Sequence, residues 1–325
     1  MRKFGKIVSY LILVIAFIVL MGFMAECESK KAVTEENKAI IGRLAELWNT
    51  GNLAIADEIF DADLVNHNPN NPGVINSESY KGYVPVIRTG FPDFHVAADD
   101  LVAEGEKVAF RWTIIATHQG ELMGIPATGI QVVWTGITMA RFADGKIVEM
   151  WWSEDMLGML QQLGVIPPMG REDFTWGIPS EVTGDPGDPA ANKAVIFRYT
   201  EEVWNQRNLD VLDELMTTDV INHSPIRLEL NLETHKQIMS MYLTAFSEFH
   251  VITDDIIAEG DKVVNRWTAT GIHQGELMGV PATGNQVVWT GITVSRLADG
   301  KIVETWWSYD VLGILQQLGV IPPLG

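Results

Sequence analysis

Two aspartates in equivalent sequence settings are the strongest candidates for acid–base chemistry. Asp155 and Asp310 each follow a pair of tryptophans and precede an apolar LGxLQQLG segment. A carboxylate among tryptophan side chains is desolvated, which raises its pKa and suits it to general acid or base catalysis near neutral pH. The alternative is structural, because an aspartate at the start of a helix accepts hydrogen bonds from backbone N–H groups. The sequence leaves both interpretations open.

Histidines form a second set of candidates. His118 and His273 end a predicted strand, immediately before a Gly/Pro-rich hairpin that would form the rim of a pocket. A histidine there would share a proton or orient a carbonyl group, or would be an ordinary surface loop residue. His67 and His223 belong to an NH(N/S)P motif, where the alternatives are a functional residue and a turn histidine bonded to backbone. The histidines without a recurring pattern, interpreted as surface residues, are His95, His235 and His250.

Aromatic side chains on the predicted strands are candidates for ligand contact. Strand alternation sends some of them into a pocket, where they would favour a flat apolar ligand, and sends others against the helices. Two methionines beside the predicted rim would adapt to different ligands or anchor the hairpin. The candidates for ligand contact are Trp112, Trp134, Trp151, Trp267, Trp289, Trp306, Met123 and Met278.

The composition excludes several other function classes. The 325 residues include 23 Lys and Arg against 42 Asp and Glu, which gives a net charge of −19 that repels nucleic-acid phosphates. Cys27 is the one cysteine, so neither an intrachain disulfide nor a thiolate zinc cluster is expected. The sequence has no HExxH, calcium-loop, phosphate-loop or GxSxG motif. Any chemistry is therefore expected to be proton transfer without a metal or cofactor.

The candidate residues lie in a module that occurs twice. The segment from His118 to Glu149 recurs from His273 to Glu304 at a constant offset of 155 residues. Upstream, NKAIIGRLAELWN at Asn37 is matched by NKAVIFRYTEEVWN at Asn192, with one extra residue in the second copy. Each copy has the size of a single domain. The predicted domains are 33–166 and 192–325, joined by a Pro/Gly-rich linker over 167–191.

Within a copy, the periodicity predicts helices followed by strands. Apolar residues at helical spacing indicate helices over 35–49, 53–60 and, more weakly, 77–88. From His95 onward the apolar residues alternate with period two, and Gly105 and Gly145 lie at predicted hairpin turns. Helices that precede an antiparallel meander indicate an α+β domain with the helices on one side of a curved sheet.

The N-terminus has the composition of a targeting segment. Arg2, Lys3 and Lys6 precede an uncharged apolar run from Ile7 to Ala25. We expect residues 1–30 to be a signal peptide or a membrane anchor and the remainder to be exported to the cell envelope or secreted. Cys27 is compatible with a lipoprotein, although Glu26 precedes it where a small residue is expected.

The chain resembles the SnoaL-like ester cyclases of the NTF2-like superfamily, which include polyketide cyclases. The resemblance spans nearly all of both copies and implies two tandem cone-shaped α+β barrels, each enclosing an apolar pocket open at one end. Related folds host several reactions and simple binding proteins, so the fold alone does not name the reaction. The matching motifs are NKAVIFRYTEEVWNQRNLDVLDEL, NH(N/S)P, HQGELMGIPATG and DGKIVExWWxxDxLGxLQQLG.

The resemblance implies cofactor-free acid–base chemistry on a hydrophobic carbonyl compound. In such cyclases the aspartate at the place of Asp155 and Asp310 exchanges protons with the substrate during an intramolecular aldol closure. His118 and His273 would assist. The alternative is a non-catalytic carrier or sensor of a hydrophobic small molecule at the cell envelope, which the export signal favours.

Further expectations follow from the same resemblance. Family counterparts of His67 and His223 often face the pocket, which implies ligand contact for both. Many relatives carry a histidine before the tryptophan of the last strand, and this chain has Met150 and Thr305 there, so its acid–base set is thinner. Domains of this superfamily commonly pair through the outer sheet face, so we expect the two copies to pack as an intramolecular pseudo-dimer.

Overall fold

Each copy of the module folds as helices and a mostly antiparallel sheet, as the periodicity predicts, but a strand over Phe60–His67 (Met216–His223 in the second copy) precedes the last of the initial helices and was not predicted. The structure is a computed structural model that describes residues 31–168, 183–226, 228–229 and 231–322. The predicted targeting segment, Cys27 and most of the predicted linker lie outside these residues. Within the described ranges, no helix is both long enough and apolar enough to span a bilayer.

The N-terminal domain begins with helix α1 over residues 31–50. Ile41, Leu44 and Leu47 recur at helical spacing and are buried against the sheet. The other elements are α2 (Ala54–Ile59), β1 (Phe60–His67), α3 (Ser77–Gly90), β2 (His95–Glu104), β3 (Lys107–Thr117), β4 (Gln131–Ala143), β5 (Lys146–Glu154) and α4 (Met156–Gln162).

The C-terminal domain repeats this order. It begins with α5 (Pro189–Arg198), which is capped by Asp188, so the last three residues of the predicted linker are already helical. The elements after α5 are a π-helix (Tyr199–Asn205), a 3₁₀ turn (Leu209–Val211), α6 (Leu212–Leu215), β6 (Met216–His223), β7 (Leu228–Glu229), α7 (Leu232–Ala245), β8 (Phe246–Glu259), β9 (Lys262–His273), β10 (Gln286–Ala298), β11 (Lys301–Tyr309) and α8 (Val311–Gln317).

The two sheets share the same order of five strands, and the second sheet has one additional short strand, β7, at its edge. The strand order is β1-β5-β4-β3-β2 in the first sheet and β7-β6-β11-β10-β9-β8 in the second. β1 pairs with β5 in parallel, and β6 pairs with β11 in the same way, whereas the other pairs are antiparallel. The predicted α+β architecture, with two domains of equivalent element order in tandem, is confirmed.

The extra residue of the second copy is contained in its first helix. Asn37 and Trp48 are eleven positions apart in the first copy, and Asn192 and Trp204 are twelve positions apart in the second. The π-helix over Tyr199–Asn205 holds the additional residue, because a π turn contains one more residue than an α turn. Trp204 consequently faces the interior of its domain at the place that Trp48 occupies in the first.

A glycine opposite a tryptophan lets each sheet hold a large ring on its concave face. Gly136 pairs with Trp112 in the register of β4 and β3. A Cβ atom at Gly136 would lie 2.2 Å from Cζ2 of Trp112, and the equivalent distance from Gly291 to Trp267 is 2.3 Å. The indole ring therefore lies across the backbone of the next strand, where only glycine leaves room for it.

The two domains contact each other through the sheet faces that point away from the helices. A small apolar cluster joins them, built from alternate residues of the strands. Around it lie ion pairs at equivalent positions, Lys107 to Asp255 at 2.7 Å and Lys262 to Asp100 at 2.8 Å. The cluster contains Val102, Ala109, Ile137, Met139, Ile257, Val264, Ile292, Val294 and Trp306.

Backbone groups of the two domains are also bonded reciprocally. Glu259 Oε2 accepts a hydrogen bond from the Ala103 N–H at 2.8 Å, and Glu104 Oε2 accepts one from the Ala258 N–H at 2.8 Å. These four residues are equivalent in pairs, so the same patch of each domain contacts the other. The intramolecular pseudo-dimer stays a prediction, and these contacts are its structural support.

Candidate active site

Each domain encloses a cavity between its helices and the concave face of its sheet. The cavity volume is about 70 Å³ in the N-terminal domain and about 60 Å³ in the C-terminal domain. Because benzene occupies an engineered apolar cavity of about 150 Å³, a ring-sized ligand requires lining side chains to move or extends beyond the cavity. The tryptophans that line the two cavities are Trp48, Trp112, Trp134 and Trp152 in the first domain and Trp204, Trp267, Trp289 and Trp307 in the second.

A carboxyl group that the sequence analysis did not single out lines the N-terminal cavity. Glu154 ends β5 two residues after Trp152, so both side chains lie on the concave face. The Asn68 amide donates a hydrogen bond to Glu154 Oε1 at 3.3 Å. Burial raises the pKa of Glu154 to about 7, although hydrogen bonds from two asparagines and Trp134 oppose the rise. A carboxyl group with this pKa has both its acid and base forms present at neutral pH.

Two tyrosines supply hydroxyl groups to the same cavity. Tyr80 accepts a hydrogen bond from Trp48 Nε1 at 2.7 Å, and Tyr83 lies one helical turn further along α3. Burial raises the pKa of both hydroxyls, and the nearby charge of Glu154 raises the pKa of Tyr83 further. Both groups are therefore protonated at neutral pH and able to donate hydrogen bonds.

The C-terminal cavity has a different set of polar groups. Tyr309 occupies the position of Glu154, and its hydroxyl lies 3.0 Å from that of Tyr242. The Tyr199 hydroxyl lies 3.0 Å from Nε2 of His235, which is 1% exposed and lines the cavity. The interpretation of His235 as a surface residue is therefore wrong. His235 lies on the buried face of helix α7. Because this helix is only weakly amphipathic, the sequence did not show which of its faces would be buried.

The two candidate aspartates cap helices. Asp155 accepts a hydrogen bond from the Gly158 N–H at 2.9 Å, and Asp310 accepts one from the Gly313 N–H at 2.8 Å. Neither side chain belongs to the described lining of either cavity. Burial raises the pKa of Asp310, and its negative charge in turn raises the pKa of Glu154. This geometry favours the cap interpretation, and a catalytic role for these aspartates stays a prediction.

The rim histidines are buried and lie behind the cavity wall. His118 and His273 are both 0% exposed, which contradicts the surface-loop alternative. Nδ1 of His118 accepts a hydrogen bond from the Thr128 N–H at 3.3 Å, and His273 is bonded in the same way. Burial lowers the pKa of both histidines, which favours the neutral ring. The His118 ring packs on Phe91, which packs on Trp134, so one aromatic ring separates this histidine from the cavity.

The histidines of the NH(N/S)P motif bind glutamates outside the cavities. His67 Nε2 lies 3.0 Å from Glu149, and His223 Nε2 lies 2.8 Å from Glu304. Burial opposes ionisation of these glutamates, but the histidine and arginine hydrogen bonds hold the pKa of each below its usual value. The expected ligand contact of His67 and His223 is not found, because neither lines a cavity.

Two of the candidate tryptophans face the other domain. Trp151 and Trp306 precede the tryptophans that do line the cavities, and alternation along the strand places them on the opposite face. The guanidinium of Arg266 lies 4.7 Å above the Trp151 ring, and that of Arg111 lies 4.4 Å above the Trp306 ring. Each arginine comes from the partner domain of the same chain. The prediction of ligand contact is corrected for these two residues.

The other predicted ligand contacts divide into two groups. Met123 lies between β3 and β4, and Met278 lies between β9 and β10. Both are partly buried, and neither lines a cavity. Their backbones are left-handed, with φ of 51° and 48°. The predicted ligand contacts that do line the cavities are Trp112, Trp134, Trp267 and Trp289.

One pattern would have located Glu154. Counting by twos along β5 from Met150, which faces the interior, reaches Trp152 and then Glu154 on the same face. The duplication adds a second signal, since the same position holds Tyr309 in the other copy while its neighbours match. Within the described ranges, no cluster of three His, Cys, Asp or Glu residues is arranged to hold a metal ion.

Comparison with known proteins identifies the same two segments. A family profile for SnoaL-like polyketide cyclases matches residues 38–163 and 194–318. The chain is 27% identical over 128 residues to the aklanonic acid methyl ester cyclase DnrD of Streptomyces peucetius, a match that covers 38% of this chain and 88% of that protein. The match to the aklanonic acid methyl ester cyclase DauD of Streptomyces sp. (strain C5) is 28% over 133 residues and covers 38% and 80%.

Solved structures match one domain at a time. IdmH of Streptomyces antibioticus is 34% identical, with a TM-score of 0.37, over 40% of this chain and 99% of that chain. AclR of Streptomyces galilaeus is 30% identical, with a TM-score of 0.39, over 42% of this chain and 87% of that chain.

Proposed function

Because the chain belongs to the SnoaL-like polyketide cyclase family, we propose that its N-terminal domain catalyses proton transfer on an apolar carbonyl compound, with Glu154 as the acid–base group. The observation that carries this proposal is the position of Glu154. It lines an aromatic cavity, and burial holds its pKa at about 7. A general base works best when its pKa lies near the operating pH.

The proposed reaction is an intramolecular aldol closure. Glu154 removes a proton from a carbon next to a carbonyl group, and the electron pair moves to the carbonyl oxygen as an enolate. The enolate carbon attacks a second carbonyl carbon, which forms the new carbon–carbon bond and leaves an alkoxide. The carboxylic acid of Glu154 returns the proton to that alkoxide, so the step needs no redox partner or cofactor.

The hydroxyls in the cavity suit the stabilisation of the enolate. Tyr80 and Tyr83 are protonated at neutral pH, since burial raises the pKa of both. A donor aimed at a developing oxyanion in a desolvated site commonly contributes a factor of about 10² or more to the rate. The apolar rings of Trp112 and Trp152 would hold the hydrocarbon part of the substrate.

Deuterium exchange on a simple ketone tests the base without knowledge of the natural substrate. Phenylacetone in D₂O exchanges the protons next to its carbonyl through the enolate, and the exchange is followed by NMR. We expect Glu154→Gln to lower the protein-catalysed exchange rate by about 10²- to 10⁴-fold. Because the carboxylate is the active form, the wild-type rate should rise with pH and level off above about pH 7.

Matched variants separate Glu154 from the other candidates. Tyr309→Phe changes the equivalent position of the C-terminal domain, and Asp155→Asn and Asp310→Asn change the helix caps. We expect these three variants to retain exchange within a few-fold of the wild type. Loss of exchange in Asp155→Asn with full activity in Glu154→Gln would assign the base to the aspartate instead.

A binding role without catalysis is the second candidate, and the C-terminal cavity favours it. Within the described residues that line this cavity there is no carboxylate, because Tyr309 stands where the N-terminal domain has Glu154. In the exchange assay, a protein that only binds would show no catalysis in the wild type.

We also propose export, on the sequence alone. The basic residues and apolar run of residues 1–30 have the order of a signal or anchor segment. Fractionation of cells that produce the full chain with a C-terminal tag tests this: recovery in the envelope or medium agrees, and recovery in the cytosol overturns it.

A further inference from the structure

We propose that the C-terminal cavity is a binding site for an uncharged apolar molecule that carries a hydroxyl or carbonyl group. The contrast with a catalytic N-terminal cavity rests on the proposed function. The binding role itself is argued from the residues of the C-terminal cavity.

A row of polar side chains crosses the concave face of the second sheet. Asn265 on β9 pairs in register with Thr293 on β10, and Ser295 on β10 pairs with Thr305 on β11. All four side chains line the cavity and are buried. We call Asn265, Thr293, Ser295 and Thr305 the polar strip.

The first domain lacks this strip. The equivalent residues, by the constant offset of the duplicated segment, are Phe110, Thr138, Ala140 and Met150. Only the threonine is shared, so three polar residues of the second domain stand where the first has apolar side chains. Of the four equivalents, Phe110 alone lines the N-terminal cavity. The polar strip is therefore a property of the second cavity and not of the shared fold.

Part of the strip is already engaged in hydrogen bonds. Thr293 accepts one from Trp267 Nε1 at 2.9 Å. Thr305 accepts one from Trp307 Nε1 at 2.8 Å and donates one to Asn222 at 2.6 Å. These bonds fix two neighbouring indoles of the cavity lining, whose ring centroids lie 6.1 Å apart.

The amide of Asn265 is in a different position. The residue is 6% exposed and its side chain lines the cavity. None of the hydrogen bonds within the described ranges engages its amide, whose polar atoms are not fully enclosed and so are open to the cavity. An amide held away from bulk water is stabilised by a hydrogen-bond partner in the cavity. Since the amide both donates and accepts, it fits the hydroxyl or carbonyl group of a molecule in the cavity.

The charge of the cavity limits the ligand class. Its described lining contains no Asp, Glu, Lys or Arg side chain, and its histidine, His235, lies 3.0 Å from the Tyr199 hydroxyl. An ionised ligand would lose its hydration there without gaining an opposite charge, which is strongly unfavourable. The ligand is therefore uncharged, with an apolar body against Trp204, Trp267 and Trp289.

The two cavities would hold the polar group of a ligand at different levels of the sheet. Asn265 pairs with Thr293, which pairs with Trp307 on β11, so Asn265 lies two residues, or about 7 Å along the strand direction, from the level of Tyr309 at the position of Glu154. A ligand bound through Asn265 and its neighbours would therefore keep its polar group away from the position that bears the carboxylate in the first domain.

Three fluorinated probes of similar size test the inference. Fluorobenzene has no polar substituent, 4-fluorophenol adds a neutral hydroxyl, and 4-fluorobenzoate adds a negative charge. Dissociation constants are measured on the full chain at pH 7 by fluorine NMR titration. We expect 4-fluorophenol to bind about fivefold more tightly than fluorobenzene, as one neutral hydrogen bond provides, and 4-fluorobenzoate to bind most weakly.

Matched variants locate the preference. Asn265→Leu should reduce the ratio of the fluorobenzene and 4-fluorophenol constants to about one, whereas Phe110→Leu, at the equivalent position of the first cavity, should leave it unchanged. If Asn265→Leu does not fold, Asn265→Phe introduces the side chain that the first domain accommodates there.

The outcomes distinguish this inference from the proposed function. A ratio near one in the wild type, a ratio that persists in both Asn265 variants, or tighter binding of 4-fluorobenzoate would overturn the binding role. Loss of the ratio in Asn265→Leu supports it. The ketone exchange assay with Glu154→Gln is independent of this ratio, so either proposal can fail while the other stands.

Discussion

The two cavities share their apolar framework and differ in their polar groups. Equivalent tryptophans line both cavities, and in each sheet a glycine lies opposite an indole ring, that of Trp112 on β3 or that of Trp267 on β9. Glu154 in the first cavity is replaced by Tyr309, while Asn265 replaces Phe110 in the second. The framework is constrained by packing, since a change of volume is costly wherever it occurs. At these two positions the cavity-facing polar groups differ between the copies, while the tryptophans around them match.

Substitution of the glycines opposite the indole rings tests the shared framework and has the largest expected effect. Gly136→Ala and Gly291→Ala would each place a Cβ atom inside the contact distance of an indole ring. We expect each to lower the free energy of unfolding by about 3 kcal/mol, measured by urea denaturation. Gly145→Ala, at an exposed turn with open space around its Cβ position, is the strain-only control. Unequal effects at the two sheet positions would show that the frameworks differ.

The difference in acidity between the cavities predicts a pH-dependent stability. The pKa of Glu154 rises from 4.5 to about 7 on folding, so its contribution is fully present below pH 4.5 and is lost as the pH rises towards 7. Glu154→Gln removes this dependence. We expect the variant to gain about 2 kcal/mol relative to the wild type between pH 4.5 and pH 8.

Tyr309→Phe is the control for that measurement. Its stability difference from the wild type should not change between pH 4.5 and pH 8, because a tyrosine hydroxyl is protonated throughout. The buried His118 and His273 contribute a pH dependence of opposite sign, because their lowered pKa values make the protein less stable as the pH falls. This contribution is the same in the variant and the wild type, so it cancels in the difference between them. A flat difference for Glu154→Gln would contradict the raised pKa.

The domain contact provides a smaller test. Arg111 is 2% exposed above Trp306, whereas Arg266 is less buried above Trp151. We expect Arg111→Ala to lower the free energy of unfolding by about 1.5 kcal/mol and Arg266→Ala by less than about 1 kcal/mol, since a desolvated cation–π contact is the stronger one. Equal losses in urea denaturation would mean that the burial difference has no energetic consequence.

The smallest effect is expected from the reciprocal ion pairs. Lys107→Ala and Lys262→Ala each remove one partly exposed pair between the domains. Each variant should lower the free energy of unfolding by about 0.5 kcal/mol, equally in the two variants and less at high salt.

Small-angle scattering of the wild type tests the proposed pseudo-dimer directly: one compact particle agrees, and two domains at variable separation contradict it.

Periodicity accounts for most of what could be predicted. The helices, the hairpin at Asp144 and Gly145, and the tandem duplication all follow from local patterns, because amphipathic spacing and turn chemistry are local properties. The choice between catalysis and capping at Asp155 did not follow. The same residue type before a helix suits either role, and the surrounding side chains come from distant parts of the chain.

Trp151 and Trp152 show where sequence reasoning ends. Alternation requires that adjacent strand residues face opposite sides, but it does not say which side faces the cavity. That side is decided when β5 pairs with β1 and β4 and the helices cover one face. The pKa of Glu154 has the same origin, because desolvation depends on every group packed around the carboxylate and not on its sequence neighbours.

The amino-acid sequence by itself determined the two copies of the module, their α+β class, the family resemblance and the aromatic character of the cavities. Only the tertiary structure decided which tryptophans line a cavity, that Glu154 is the carboxyl group inside the first one, and that Asn265 lies buried in the second. The physical reason is that local patterns encode secondary structure, whereas burial and side-chain contacts are set by residues far apart in the chain.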